Sequence, residues 1–501
     1  MTTPDDHVER EVKLDADLDF VLPALDGVDG TVRHLSDQQL RTAYFDTVGL
    51  SLWSRGVTLR HRYGGDGVEG GPGTWTVKLP EDATGPTVDR TERTWAGPRD
   101  EVPAGARTIL AGMVRGRALV LLVELVSTRR RLVVEGPDGT PAAEIDDDTV
   151  TVVGGSHDGC RFRQIEVELG PGGDALVGPL VGSLRAAGAR PGGGAKVAEA
   201  LDPAPGRPPA PDRRSTMTDV VRAAVTAGLD QLLVHDAHLR SAPDDPPVHD
   251  VHQARVATRR LRSDLGLCGP VLDPAWLAAT RDDLRWLGQV LGRVRDADVL
   301  AGSLHPGPDV PAEVREGCDR LQGALLAERR AYCRDLARVL ADDRYLALVG
   351  RLEEAAVAPP VVPEADERAS WALPRLVGGR WRALRRRVRR AGRRPDDRAL
   401  HRLRILAKQL RYASETAVPV IGRRARRTAS AAEGLQSVLG EFHDTVTAEA
   451  WLRLQARHDP DGVGPAVAWL VERQRCARRR LRRRWRPAWE RLDDPKRRRW
   501  L

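Results

Sequence analysis

Two textures divide the chain. Between residue 9 and about 169, apolar and polar positions alternate along short runs, EREVKL, RTAYFDT, GVTLRHRY, TWTVKLP, DRTERTW, LVLLVELV, TRRRLVVE, AAEIDDDTVTVV and FRQIEVELG, separated by Gly, Pro and Asp turns. A period of two predicts β-strands, and this many short strands predict a closed antiparallel barrel or a sandwich. From about residue 217 onward, apolar residues recur at steps of three and four in Ala/Leu/Arg segments broken near 243, 306, 360 and 395. That period predicts an array of helices or a pair of bundles. DPAPGRPPAPDRRS, residues 202–215, suits neither period and reads as a Pro-rich linker. The expected organisation is a β domain over 1–201, a linker over 202–215 and a helical domain over 216–501.

The strands carry charge on an unusual face. Alternation puts Glu9, Glu11 and Lys13 on one side of the first strand, with Arg10, Val12 and Leu14 on the other. Arg60 with Arg62, and Glu166 with Glu168, repeat the pattern. Half-buried strands usually turn an apolar face inward, so this face either meets solvent or lines a polar cavity. Carboxylates gathered in a cavity need cations, and oxygen-only ligands suit Mg²⁺ or Mn²⁺. Gathered Arg and Lys need an anion with several negative oxygens. Both clusters in one cavity point to metal-bound polyphosphate and to phosphoryl transfer to water.

Charge separates the two textures further. Residues 1–201 carry a net −9 and the remainder +17, so the halves are expected to have different partners. Of 79 basic residues only five are lysine, namely Lys13, Lys78, Lys196, Lys408 and Lys496. Where Arg is so preferred, a Lys marks a site suited to a compact ammonium. Aromatics make up 4% of the chain, which leaves Leu, Val and Ala to build the cores. The five cysteines are scattered without CxxC spacing and read as thiols of a reducing compartment. The start, MTTPDDHVER, is acidic, and the longest apolar stretch, ALVLLVELV at 118–126, is too short to span a bilayer. A cytoplasmic protein is expected.

The helical half contains a repeat. HQARVATRRLR from His252 matches HRLRILAKQLR from His401, pairing His252, Arg255, Arg259 and Arg262 with His401, Arg404, Lys408 and Arg411. Steps of three, four and three place each set on one helical stripe. LGRVRDAD at 291–298 matches LGEFHDTV at 439–446 at nearly the same offset. A duplicated four-helix bundle follows, with repeats at about 216–350 and 365–490. Neither His has metal-ligand spacing to another, so anion binding at neutral-to-acid pH is the expected role. The terminal run RQRCARRRLRRRWRP and KRRRW reads either as a helix tail on the same groove or as an anion-binding appendage.

Glu9-x-Glu11-x-Lys13 resembles the ExExK signature of the CYTH family, the triphosphate tunnel metalloenzymes. YFDT at 44–47, LRHR at 59–62, TVKLP at 76–80, RTE at 90–92, STRR with Arg129, AEIDDD at 143–148, IEVEL at 165–169 and Lys196 in GGGAKVAEAL resemble that family's later landmarks in order. The helical half resembles the CHAD domain, an α-helical domain named for its histidines and associated with inorganic polyphosphate. The first resemblance implies a tunnel of eight antiparallel strands. In it Glu9, Glu11, Asp148, Glu166 and Glu168 would hold one or two divalent metals, while Arg60, Arg62, Lys78, Arg129 and Lys196 bind triphosphate. Lys13 would contact the scissile phosphoryl group or help orient the attacking water, and Glu92 and Glu144 would support from inward faces. The second resemblance implies polyphosphate binding by the two basic stripes.

The function expected is a metal-dependent triphosphatase acting on inorganic tripolyphosphate or a related organic triphosphate. Its helical module would hold long-chain polyphosphate or bring the protein to polyphosphate granules. The alternatives are a non-catalytic polyphosphate scaffold and a cyclase of the class IV adenylate cyclase type. Nucleic acid ranks last, because phosphate affinity comes cheaply to any basic domain while aromatics that could stack bases are few.

Overall fold

The structure, a computed structural model, describes residues 5–25, 28, 30–64, 73–81, 88–136, 139–170, 172–192, 194–201, 207–308 and 310–501, with side chains from Arg10 in the first strand and from Arg90 in the sixth. It divides into two compact units, Met1–Gly206 and Arg207–Leu501.

Among the described residues the first unit contains ten strands: β1 (Asp5–Ala16), β2 (Thr31–His34), β3 (Gln38–Asp46), β4 (Thr58–Gly64), β5 (Thr74–Pro80), β6 (Val88–Ala96), β7 (Val120–Glu135), β8 (Pro141–Val153), β9 (Arg161–Leu169) and β10 (Arg190–Pro191). Every pairing is antiparallel. Neighbours run β1-β6-β5-β4-β3-β7-β8-β9, and β9 pairs again with β1. β1 meets β6 along Asp5–Glu11 and β9 along Glu11–Ala16, so eight strands form a ring closed by stagger. β2 adds to β7 and β10 to β1. The expected eight-stranded antiparallel barrel is present. The runs LVLLVELV and TRRRLVVE, read as two strands, form the single strand β7, because no turn residue interrupts the alternation between them. β2, β10 and the helices α1 (Ala104–Val114) and α2 (Val177–Ala186) are additions to the sequence reading.

The barrel is apolar outside and charged inside. Leu14, Ile145, Ile165 and Val167 face outward and pack with Phe20 and with Leu180 and Leu184 of α2. Each such leucine contributes roughly 1.5–3 kcal/mol by burial. Opposed residues of neighbouring strands share a face, and the pairs Leu125↔Val152, Ser127↔Val150, Arg129↔Asp148 and Arg131↔Asp146 trace the inner face of β7 and β8. That face changes from apolar to charged along its length. At its apolar end Tyr44, Val123, Leu125, Val150 and Val152 pack with Ala195, Val197 and Ala200 around the 3₁₀ turn Lys196–Glu199.

The second unit is helical: α3 (Met217–Ser241), α4 (Val248–Leu267), α5 (Pro274–Ser303), α6 (Ala312–Leu340), α7 (Asp343–Val357), α8 (Ala369–Ala391), α9 (Asp397–Thr416), α10 (Val418–Ile421), α11 (Arg423–His458), α12 (Pro460–Leu492) and α13 (Pro495–Arg498). Starts are set by capping: Thr216 and Asp219 form a capping box on α3, and Asp273 and Asp396 cap α5 and α9. Successive helices pack as α3, α4, α5, α6 and again as α8, α9, α11, α12. α4 lies against α9 and α6 against α12. Leu321 and Leu325 of α6 meet Trp451, Leu452 and Leu470 at the second contact. Of the Arg-rich terminal run, RQRCARRRLRRRWRP belongs to α12, which buries Leu481, Trp485, Trp489 and Leu492 and so packs as a helix of the bundle, while KRRRW begins in the short α13. Among the described residues no helix is long and apolar enough to cross a membrane.

Candidate functional sites

Three rows of inward residues cross the barrel. Register places Glu11 of β1 opposite Glu168 of β9, and Glu168 opposite Glu144 of β8. The next row holds Lys13, Glu166, Asp146 and Arg131, and the one after it Asp15, Gln164, Asp148 and Arg129. Like charges abreast on neighbouring strands repel, so the row of three glutamates is where a cation would be most favourable. The side chain of Glu9 lies outside the described residues; its backbone pairs with Arg90.

Acids and bases inside the ring hold one another. Lys13, 8% exposed, contacts Glu11 at 3.0 Å and Glu166 more closely. Burial alone would lower its pKa, but Glu166 and Glu11 outweigh burial and raise it, so Lys13 remains an ammonium ion. Asp148 is fully buried: Arg129 donates to its two oxygens at 3.0 and 2.8 Å, and Lys196 lies 2.9 Å away. Expected among the metal ligands, Asp148 therefore stands within the basic cluster, away from the glutamate row. Glu166 touches Lys13 and Lys196 and lies 3.6 Å from Arg129. Burial opposes its ionisation, but Lys13, Lys196, Lys78 and Arg129 together hold it well below the usual carboxylate range. Asp146 behaves differently. Burial first, then Asp148, Glu144 and Glu166, outweigh Arg129 and push it up to about 7. Among the described residues its buried Oδ1 accepts no hydrogen bond.

Opposite these groups, Arg62 is lowered to about 10 by burial and by Arg60 and Arg129. Lys78 pairs with Glu92, and Arg60 lies 3.7 Å from the same carboxylate. A small enclosed cavity is lined by Lys13, Arg60, Lys78, Arg90, Glu166 and Lys196, with Tyr44 and Thr58. The structure thus gathers Lys13, Arg60, Lys78, Glu166 and Lys196 into one cavity. Arg90 and Tyr44 were missed by sequence reading, although RTE and YFDT contain them. Among the described residues no three acidic, His or Cys side chains converge on one point.

In the helical unit, α4 against α9 brings the two basic stripes together. Arg259 donates to the Tyr412 hydroxyl at 2.6 Å and lies 5.5 Å from that ring's centre. Lys408 is lowered to about 7 by burial and by Arg259, Arg404, Arg255 and Arg262. Of the repeated glycines only Gly292 has a steric reason: a Cβ there would overlap Arg255 Nη1, whereas one at Gly440 would make ordinary contact, 3.9 Å from Arg404 Nε. Arg255 also donates to the Gly288 carbonyl at 3.0 Å. Arg411 departs from its repeat partner Arg262. It is tied to Glu415 at 2.7 Å and Glu433 at 2.9 Å. Burial and neighbouring cations lower both His252 and His401 below the ordinary histidine value. His443, also missed, sits with Nδ1 3.3 Å from Nδ1 of His401 and is lowered to about 4 by burial, Arg404 and His401. Its equivalent in the first repeat is Arg295, a shared position that the LGRVRDAD/LGEFHDTV match contains.

Comparison with known proteins identifies the second unit. Residues 223–453 match the CHAD domain family model. An uncharacterized protein of Mycobacterium tuberculosis, Rv2226 in strain H37Rv and MT2285 in strain CDC 1551, is 30% identical over 487 residues, covering 90% of each chain. The CHAD domain of the plant Ricinus communis aligns with 58% of this chain and 98% of its own at 25% identity and TM-score 0.48. A candidate adenylyl cyclase from Hippeastrum, reported with a dominant triphosphatase activity, aligns with 38% of this chain and 93% of its own at 19% identity and TM-score 0.24. The chain belongs to the same family as the mycobacterial protein and carries a CHAD domain over residues 223–453, preceded by an antiparallel barrel.

Proposed function

We propose that the barrel is a divalent-metal-dependent triphosphatase acting on inorganic tripolyphosphate or a related organic triphosphate, and that the helical domain binds long-chain polyphosphate. Residues 1–201 would carry the chemistry and 216–501 the anchoring, joined by 202–215. The observation that carries the first part is the inward set of acids and bases in one closed ring. Its donor set is all oxygen, which suits Mg²⁺ or Mn²⁺. Glu11, Glu168 and Glu144 stand abreast on three strands, and with Glu9 they are the residues that would hold the ion. Bound metal would polarise phosphoryl oxygens and neutralise developing charge.

The protein's own groups then divide the work. Arg60, Arg62, Lys78, Arg90 and Lys196 supply donors to phosphate oxygens around the cavity. Lys13, kept charged by Glu11 and Glu166, acts as an electrostatic contact to the reacting phosphoryl group; an ammonium has no lone pair with which to take a proton. A triphosphate entering the cavity exchanges one set of partners for another, since Glu166 occupies Lys13 and Lys196, and Glu92 occupies Lys78. The same pairing supports the scaffold reading, because bases already satisfied by acids need no metal to be stable. Phosphate release from tripolyphosphate by the intact protein and by Glu11→Gln separates the two. Loss of metal-stimulated turnover in the variant supports the enzyme. Absence of turnover in the unaltered protein on tripolyphosphate, thiamine triphosphate and ATP leaves the scaffold.

A further inference from the structure

The cationic stripe of α4 extends beyond the repeated motif. Arg262, its last member, has Nη1 3.8 Å from where a Cβ on Gly288 would stand. One turn later, guanidinium groups from two other helices arrive at Gly266. Arg281 of α5 places its Cζ 3.7 Å from the Cβ position of Gly266. Arg380 of α8 donates through Nη2 to the Gly266 carbonyl at 2.6 Å. Among the described residues none of Arg262, Arg281 and Arg380 is in an ion pair.

The nearby acids are occupied. Asp282 takes Arg285 at 2.6 Å and Arg344 at 3.2 Å, Asp264 takes Arg260 at 3.5 Å, and Glu415 takes Arg260 and Arg411. Arg262 is lowered by burial, then by Arg285, Arg281 and Arg255, and Arg380 by burial and Arg281. Capping the last turn of α4 explains one cation, because helix C-termini attract positive charge. It leaves unexplained why three should meet where they repel. The second repeat makes the contrast. At the offset that aligns His252 with His401, Gly266 aligns with Glu415, and Glu415 neutralises Arg411.

We propose that Arg262, Arg281 and Arg380 form a phosphate subsite that lengthens the basic groove past the repeated motif at the first-repeat end, selecting condensed phosphate chains over short ones. This rests on the polyphosphate reading of the groove. At the α-helical rise, His252 to Arg262 spans about 15 Å and His252 to Gly266 about 21 Å, so the subsite adds roughly one turn of rail that only a longer chain reaches.

The test uses the intact protein with chelator present, measuring binding of long-chain polyphosphate and of tripolyphosphate by Arg281→Gln, Arg281→Gln/Arg380→Gln and, as a control in the motif, Arg259→Gln. The double variant should weaken long-chain binding about tenfold, the loss expected for charge-assisted contacts. It should leave tripolyphosphate binding unchanged and reduce the slope of log affinity against log salt by about 0.7 for each lost contact. Arg281→Gln, at an exposed side chain without a hydrogen bond, isolates the effect from the Gly266 cap. If Arg259→Gln weakens binding while both Arg281 variants match the unaltered protein, the subsite is refuted and the groove stands. If the unaltered protein binds no polyphosphate of either length, both fail.

Discussion

Lys408 should couple polyanion binding to proton uptake. It sits half-buried on α9, facing Arg255, Arg259 and Arg262 of α4 with Arg404 one turn before it on its own helix, and these with burial bring it down to about 7. The nearby acids are engaged elsewhere: Glu433 of α11 and Glu415 hold Arg411, and Asp444 of α11 lies close to Arg404. A phosphate chain in the groove replaces repulsion with attraction and restores the ammonium. With a folded value near 7, about nine-tenths of Lys408 is protonated at pH 6 and about one-tenth at pH 8, so affinity should fall on the order of tenfold across that range. The sign for stability is opposite. Between about 7 and the ordinary lysine value the unfolded chain holds the proton and the folded chain does not, so this residue's contribution to stability rises with pH there. Titration calorimetry in buffers of different ionisation enthalpy counts the protons. Uptake should approach one per groove at pH 8, decline toward pH 6, and vanish in Lys408→Arg, whose guanidinium stays charged. Equal uptake in Lys408→Arg and the unaltered protein would refute the reasoning.

Two further substitutions test the packing that positions the groove. Gly228→Ala on α3 places a Cβ 2.5 Å from Leu261 Cδ2 of α4 and 2.6 Å from its Cγ, so overpacking should cost about 1–3 kcal/mol, seen as a lower urea midpoint. Arg329 on α6 is 8% exposed and binds Asp298 at 2.7 Å, the Pro246 carbonyl at 2.7 Å, and Asp245. Arg329→Met should destabilise by about 3–5 kcal/mol because the Asp298 carboxylate is left buried and unpaired; adding Asp298→Asn should recover part of the loss.

Much of both units is legible in the sequence because period carries it. The one-sided charge of β1, β4 and β9 follows from alternation, the family resemblance turns that face inward, and the stripes of α4 and α9 follow from steps of three and four. What alternation cannot carry is which partner each charge finds. Asp146, Asp147 and Asp148 are adjacent in sequence, yet Asp147 faces outward to Arg163 at 2.7 Å while Asp148 joins Arg129 and Lys196 inside. The repeat likewise equates Arg262 with Arg411, and only the fold reveals that Glu433 from α11 occupies the second of them. The buried pair of His235 Nδ1 and Asp250 Oδ1 at 2.7 Å joins α3 to α4 and leaves no local pattern, since its members lie on separate helices. β7 joins the two predicted strands because TRRR continues the alternation, with Arg129 and Arg131 on the inner face and Arg130 opposite Asp147 on the outer one.

The central claim, that the barrel hydrolyses triphosphate with a divalent ion, is tested most directly by phosphate release from tripolyphosphate with Mg²⁺ or Mn²⁺, with chelator, and by Lys13→Ala with its folding checked by thermal melting. The account predicts turnover that requires metal and is lost in a folded Lys13→Ala. Turnover that persists in chelator, or in Lys13→Ala, would contradict it.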